Sequence, residues 1–140
     1  MFRVLILSSN NSVLSPIASA YFRKYTDAET EIYSCGIENT RIDPVVVALL
    51  KEENIDVSGI QQYGLNDLKH IDFDFIITCD EESEIESHHL PSKPVKYHYD
   101  FKKLMPPELP KSKKEEVFRN VRENIKRNIR NFTRSHFHLD

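Results

Sequence analysis

At 140 residues the chain has the size of one domain with a buried core of its own. Its make-up, 39 % hydrophobic and 29 % charged, is that of a soluble globular protein, and no apolar stretch approaches the roughly 20 residues that cross a bilayer. The net charge of -3 gives no general attraction to nucleic acid. The N-terminal Met1-Phe2-Arg3 lacks the layout of a signal peptide. Two cysteines, Cys35 and Cys79, are too few for a disulfide framework or a cysteine-based zinc site, and they suit a reducing compartment. The expectation is a cytoplasmic protein with no membrane and no nucleic-acid partner.

Val4 to Leu7 is a short apolar run of strand length, the pattern of a strand covered on both faces. It stops at a polar loop of small side chains. Ser15 then reads as a helix N-cap and Pro16 as a first-turn residue, with the helix running to about Tyr25. Glu31 to Cys35 reads as a second strand closed by Gly36. Asp43-Pro44 is another cap and first-turn pair, opening a helix to about Glu53. Phe73 to Thr78 is a third buried strand, and the acidic residues behind it suit a helix N-terminus. Val95 to Tyr99 is a fourth strand. "KKLMPPELPKSKK", with its prolines, is a surface loop. In the last helix Val117, Val121, Ile125, Ile129 and Phe132 form an apolar stripe at spacings of three and four, with Arg and Lys on the other faces. The basic stretch 111–134 and the acidic stretch Asp80 to Glu86 read as solvated helix faces.

Strands alternating with helices predict an α/β fold: a four-stranded parallel sheet with helices on both faces, joined by right-handed crossovers. Ligands in such sheets bind beyond the carboxyl ends of the strands. The loop Ser8, Ser9, Asn10, Asn11, Ser12, Val13, Leu14, Ser15 falls there.

Strand, eight-residue loop, Ser-Pro and helix at the N-terminus resemble the low-molecular-weight protein tyrosine phosphatases and the thioredoxin-type arsenate reductases, whose loop reads C-x-G-N-x-x-R-S. Here the same positions read "SSNNSVLS". Asn11 and Ser15 match. The cysteine falls on Ser8, the glycine on Asn10 and the arginine on Leu14. "IYSCGIE", "IDPVVVALLKEENIDVSGIQQ", "FDFIITCDEE" and "EEVFRNVRENIKRNIRNF" resemble later segments of the family in the family's order. The resemblance therefore covers nearly the whole chain and implies the phosphotyrosine protein phosphatase I-like, three-layer α/β/α fold.

What it implies for chemistry is narrower, because function lives in the site rather than the fold. In the family a cysteine thiolate attacks phosphorus or arsenic and the arginine clamps the oxyanion. A serine hydroxyl at Ser8 is a weak nucleophile without an activating base, and no histidine lies near it in sequence. Leu14 supplies no donor, and losing one preorganised donor costs on the order of a hundred- to a thousandfold in rate. An engineered serine trap would have kept the glycine and the arginine, which Asn10 and Leu14 do not.

The rest of the cradle is backbone. Successive N–H groups over a helix N-terminus attract anions, so weak binding of phosphate, sulfate or another oxyanion is expected. Asn10 replaces glycine as a residue tolerant of the left-handed conformation, and Asn11 braces the loop. The family's general acid, an aspartate before proline, maps to Asp100 or, without a gap, to Lys103, and no Asp-Pro pair is present. Cys79 matches the first relay cysteine of the arsenate reductases, while the second falls near Glu86 and Ser87, so Cys79 and Cys35 read as core thiols. Tyr97 and Tyr99 read as packing. His88-His89 and His136-x-His138 lack the spacing of a known metal site, so no metal and no cofactor is expected. The expectation is a catalytically inactive relative that acts as a binding or regulatory module, with a protein partner. The alternative is a weakly active phosphatase or arsenate reductase with altered chemistry.

Overall fold

The computed structural model describes residues 2–90 and 93–137. The chain runs β1 (Phe2–Asn10), α1 (Leu14–Tyr25), β2 (Thr30–Glu38), α2 (Pro44–Lys51), β3 (Tyr63–Gly64), β4 (Phe75–Thr78), α3 (Glu81–Ser87), β5 (Val95–His98) and α4 (Lys114–Phe137), with short 3-10 turns at Leu65–Leu68, Phe101–Leu104 and Lys111–Lys113. All strands are parallel, in the order β3-β2-β1-β4-β5. The sheet has five strands rather than the four expected. The extra one is the two-residue β3, whose Tyr63 and Gly64 pair with Cys35 and Gly36. Two residues carry no alternation to read, so only the edge of β2 reveals it.

β1 is the central strand and Val4 to Leu7 are fully buried. Because side chains alternate along a strand, the run splits between two cores. Val4 and Ile6 join α1, α2 and α4 in the larger one, around Tyr21, Phe22, Leu50, Val121, Ile125 and Phe132. Leu5 and Leu7 join Cys35, Leu65, Leu68, Phe73 and Ile76 on the opposite face. Covering both faces is what lets a four-residue apolar run go to the centre of the sheet.

The helices form where their signals lie. Asp43 caps α2, its carboxylate accepting from the Val45 N–H at 2.9 Å, with Pro44 in the first turn. The "VVVALL" run is therefore helical despite its β-branched residues. Asp80 caps α3 in a reciprocal box with Ser83. The α4 stripe packs on α1, with Val121, Ile125 and Ile129 fully buried and Val117 partly so. The strand limits differ from expectation: β4 starts at Phe75 rather than Phe73 and β5 ends at His98 rather than Tyr99, and two strands run on much further. β1 continues through Asn10, and β2 passes through Gly36 to Glu38. The reason is pairing, since Ser8 aligns with Gly36 and Asn10 with Glu38 after the apolar signal has ended.

Candidate functional site: a serine-lined cleft at the head of α1

β1 delivers Ser8 to the carboxyl end of the sheet, a turn of Asn11, Ser12 and Val13 follows, and α1 begins at Leu14. Gly36 lies directly beneath. A Cβ there would stand 2.6 Å from the Asn11 backbone nitrogen, so the turn can rest on β2 only where β2 has no side chain.

Ser15 does not cap α1 as expected. Val13 occupies the N-cap position and no side chain caps the helix. The Ser15 hydroxyl turns inward and donates to Asn11 Oδ1 at 2.7 Å. Ser34 Oγ donates to the same oxygen at 2.9 Å, and Asn11 Nδ2 donates to the Ser34 carbonyl at 3.1 Å. Asn11 is fully buried and bonded at both ends of its amide. Gln62 Nε2 adds a clamp, donating to the carbonyls of Asn11 at 2.6 Å and Thr40 at 3.0 Å. Asn10 is not left-handed: among the described residues Asn54 alone of the non-glycine residues has a positive φ. Asn10 ends a strand, and its Oδ1 accepts from the Ser12 N–H at 3.3 Å.

Ser8 is 1 % exposed. Its Oγ lies 2.6 Å from Ser15 Oγ and also contacts the Asn10 carbonyl. A hydroxyl has one proton to donate, so it goes to one of these two acceptors. Along the Ser8–Ser15–Asn11 chain the end point is an amide oxygen, which is no base. Asp80 is the nearest carboxylate in the wall, 1 % exposed and already engaged: Oδ2 accepts from the Ser9 N–H at 2.8 Å, Oδ1 from the Ser83 N–H at 3.0 Å. It ties the loop to α3.

Above the turn is a cleft of about 190 Å³. Ser8, Ser9, Asn10, Ser12, Val13 and Leu14 form one side, with Asp80, Lys102 and Met105 completing the wall. Leu14 is 5 % exposed and belongs to the larger core as well as to the cleft wall. Neither general-acid candidate lines this cleft. Asp100 and Lys103 line a separate depression with Tyr99, Asn124 and Asn128, because the 3-10 turn Phe101–Leu104 puts successive side chains on different sides. Lys102 lines the cleft instead, and its Nζ donates to Glu82 Oε1 at 3.1 Å. Sequence reasoning missed Lys102, Asp80, Gln62 and Gly36 here. Asp80 was readable as a helix start, but nothing in the sequence brings its second oxygen to Ser9.

The cysteines stand apart from the cleft. Burial pushes the Cys35 thiol up to about 12, with Asp67 adding to it. Burial, then the charge of Asp80, raises the Cys79 thiol well above its ordinary value. β1 separates them, with Leu7 paired to Cys35 on one side and Thr78 on the other. Two strand spacings are roughly 9–10 Å, beyond the roughly 7 Å that a disulfide spans, and the two thiols belong to opposite cores. Tyr97 packs edge-on to Phe132 at 4.8 Å, and Tyr99 stacks on Phe101. Among the described residues no three His, Cys, Asp or Glu side chains gather as a metal site. His136 packs on Phe132, and its sequence partner His138 lies outside the described residues. No helix of the described residues is long and apolar enough to cross a membrane.

Known proteins share this fold. An arsenate reductase of Shouchella clausii is 29 % identical over 133 residues, covering 92 % of this chain and 93 % of the relative. Among solved structures, an arsenate reductase in the phosphate binding state superposes with a TM-score of 0.75 at 23 % identity, covering 96 % of this chain and 98 % of the other. The tyrosine phosphatase Wzb from Escherichia coli, in complex with sulphate, superposes with a TM-score of 0.73 at 14 % identity, covering 96 % and 99 %. Residues 3–137 match the low molecular weight phosphotyrosine protein phosphatase family, and with the fold and these relatives in agreement, the chain belongs to that family.

Proposed function

We propose that this chain is an oxyanion-binding member of the family that holds its ligand without transforming it, and serves as a binding or regulatory module. The observation that carries the reading is the setting of Ser8. Its hydroxyl is buried in a chain that ends on the Asn11 amide, and among the described residues no imidazole or free carboxylate is hydrogen-bonded to it. A hydroxyl in that setting has hydrogen-bond acceptors but no base to take up its proton during attack. Leu14, at the family's arginine position, adds apolar wall and no donor. Asp100, exposed and in another depression, is in no position to protonate a leaving group in the cleft.

Binding is supported by what lies around these residues. The N-terminus of α1 has no side-chain cap, which leaves the Leu14 and Ser15 N–H groups to an anion, since Pro16 has no N–H and the Ile17 N–H bonds to the Val13 carbonyl. Lys102 contributes a cation on the facing wall. Two structural neighbours hold phosphate and sulphate, respectively. The carboxylate of Asp80 in the same wall opposes an anion, which keeps the expected affinity low. The buried, protonated thiols suit a reducing, cytoplasmic setting.

The test is turnover of an aryl phosphate and thioredoxin-coupled reduction of arsenate, by the native protein and by the double variant Ser8→Cys, Leu14→Arg. The expected result is no native turnover above background and measurable phosphatase activity in the variant. Native turnover that is abolished by Ser8→Ala would overturn the reading in favour of a weakly active enzyme.

A further inference from the structure

The last helix carries its charges in two unlike halves. Up to Lys126 the cations are matched: Lys114 with Asp43 at 2.6 Å, Arg119 and Arg122 with Glu52 at 2.8 Å, and Lys126 with Glu53 at 2.6 Å. From 127 to 137 the helix contains no acidic residue. Arg127, Arg130 and Arg134 are exposed, and they form no ion pair among the described residues. Spacings of three and four put them on one stripe, roughly 10 Å long at 1.5 Å per residue. With Glu123, Lys126 and Asn131 they line a groove of about 220 Å³, in which the Glu123 carboxylate is already held by Arg122 at 2.9 Å.

The helix dipole accounts for only one of them. A cation gains from the carbonyl end within the last turn, which holds Arg134 but not Arg127 or Arg130. Those two lie further up the helix, where like charges on one face repel. Glu123, four residues before Arg127, tempers the repulsion at one end, whereas Arg130 and Arg134 have no acidic residue three or four positions away in the helix.

We propose that this stripe docks an acidic segment of a protein partner, carboxylates seating in the guanidinium forks. The planar fork matches a carboxylate with two parallel hydrogen bonds, and the length suits two or three carboxylates. The molecule as a whole carries a net charge of -3, with Glu81, Glu82, Glu84 and Glu86 in α3, which disfavours an extended polyanion such as nucleic acid. The groove also has no aromatic side chain in its lining on which a base could stack.

The experiment is titration of the full chain with a fluorescent peptide of alternating Glu and Ser, beside a single-stranded oligodeoxynucleotide of equal length, with NMR mapping of the amides. The native protein is expected to bind the peptide in a salt-dependent way and to shift amides of residues 126–134. Arg127→Gln with Arg130→Gln should weaken binding about tenfold or more with helix content unchanged by circular dichroism. Arg127→Lys with Arg130→Lys should fall between, because charge remains and the fork is lost. Arg41→Gln, an exposed arginine outside α4, should bind as the native protein does. The proposal is overturned if the native protein does not bind the peptide, if the Gln pair binds undiminished, if Arg41→Gln weakens binding equally, or if the oligonucleotide binds more tightly.

Discussion

On the proposed function, the chemistry turns on Ser8 and Leu14, and each is fixed by neighbours the other does not share. Ser8 is held by Ser15 and the Asn10 carbonyl, whereas Leu14 is part of the core beneath α1. Lys102 and Glu82 make a testable pair. Lys102→Met removes the cleft's cation and should weaken phosphate binding several-fold, while Glu82→Gln frees the lysine and should strengthen it, both read by calorimetric titration with inorganic phosphate. Gly36 supports the turn by absence. Gly36→Ala drives a methyl group into the Asn11 backbone and should cost about 1–3 kcal/mol in urea unfolding, with the Ser9 and Asn11 amides displaced in NMR spectra.

Elements announced by a cap or by periodicity were readable in the sequence; those made by pairing were not. α2 was marked by Asp43-Pro44, and α4 by its stripe. β3 and the extension of β1 through Asn10 exist because β2 offers free edges at Cys35, Gly36 and Glu38, and a polar "SSN" shows no such preference by itself. Ser15 failed as a cap for a related reason. Its hydroxyl had a stronger buried partner in Asn11, and local propensity gave way to a tertiary contact. The loop was legible as a candidate site from its place at the end of β1, but part of its cleft wall came from the 3-10 turn at Phe101–Leu104, where one step of register separates Lys102 from Lys103. α4 is the element whose packing matters most to the larger core. Ile125 is fully buried, and Ile125→Ala should cost about 2–5 kcal/mol in denaturant unfolding.

Charge and burial across the molecule divide it into a quiet interior and two contrasting surfaces, an acidic α3 and a basic end of α4. The interior sets a pH dependence. Burial raises the Cys35 thiol to about 12 in the folded chain, against about 8.5 in an unfolded one. A thiol raised on folding contributes stability that is complete below its unfolded value and is lost as pH rises toward the folded one. The thermal unfolding temperature should therefore begin to fall above about pH 8.5, and Cys35→Ala should lessen that decline. For the same reason a disulfide reagent at neutral pH should label neither thiol in the native protein and both after denaturation. The proposed division between holding and transforming an oxyanion is tested most directly by phosphorus NMR of an aryl phosphate mixed with stoichiometric native protein. The account predicts that the ester resonance broadens or shifts, that it persists, and that no inorganic phosphate or phosphoserine signal grows beyond the protein-free control. Growth of either signal, absent when Ser8 is replaced by Ala, would contradict it.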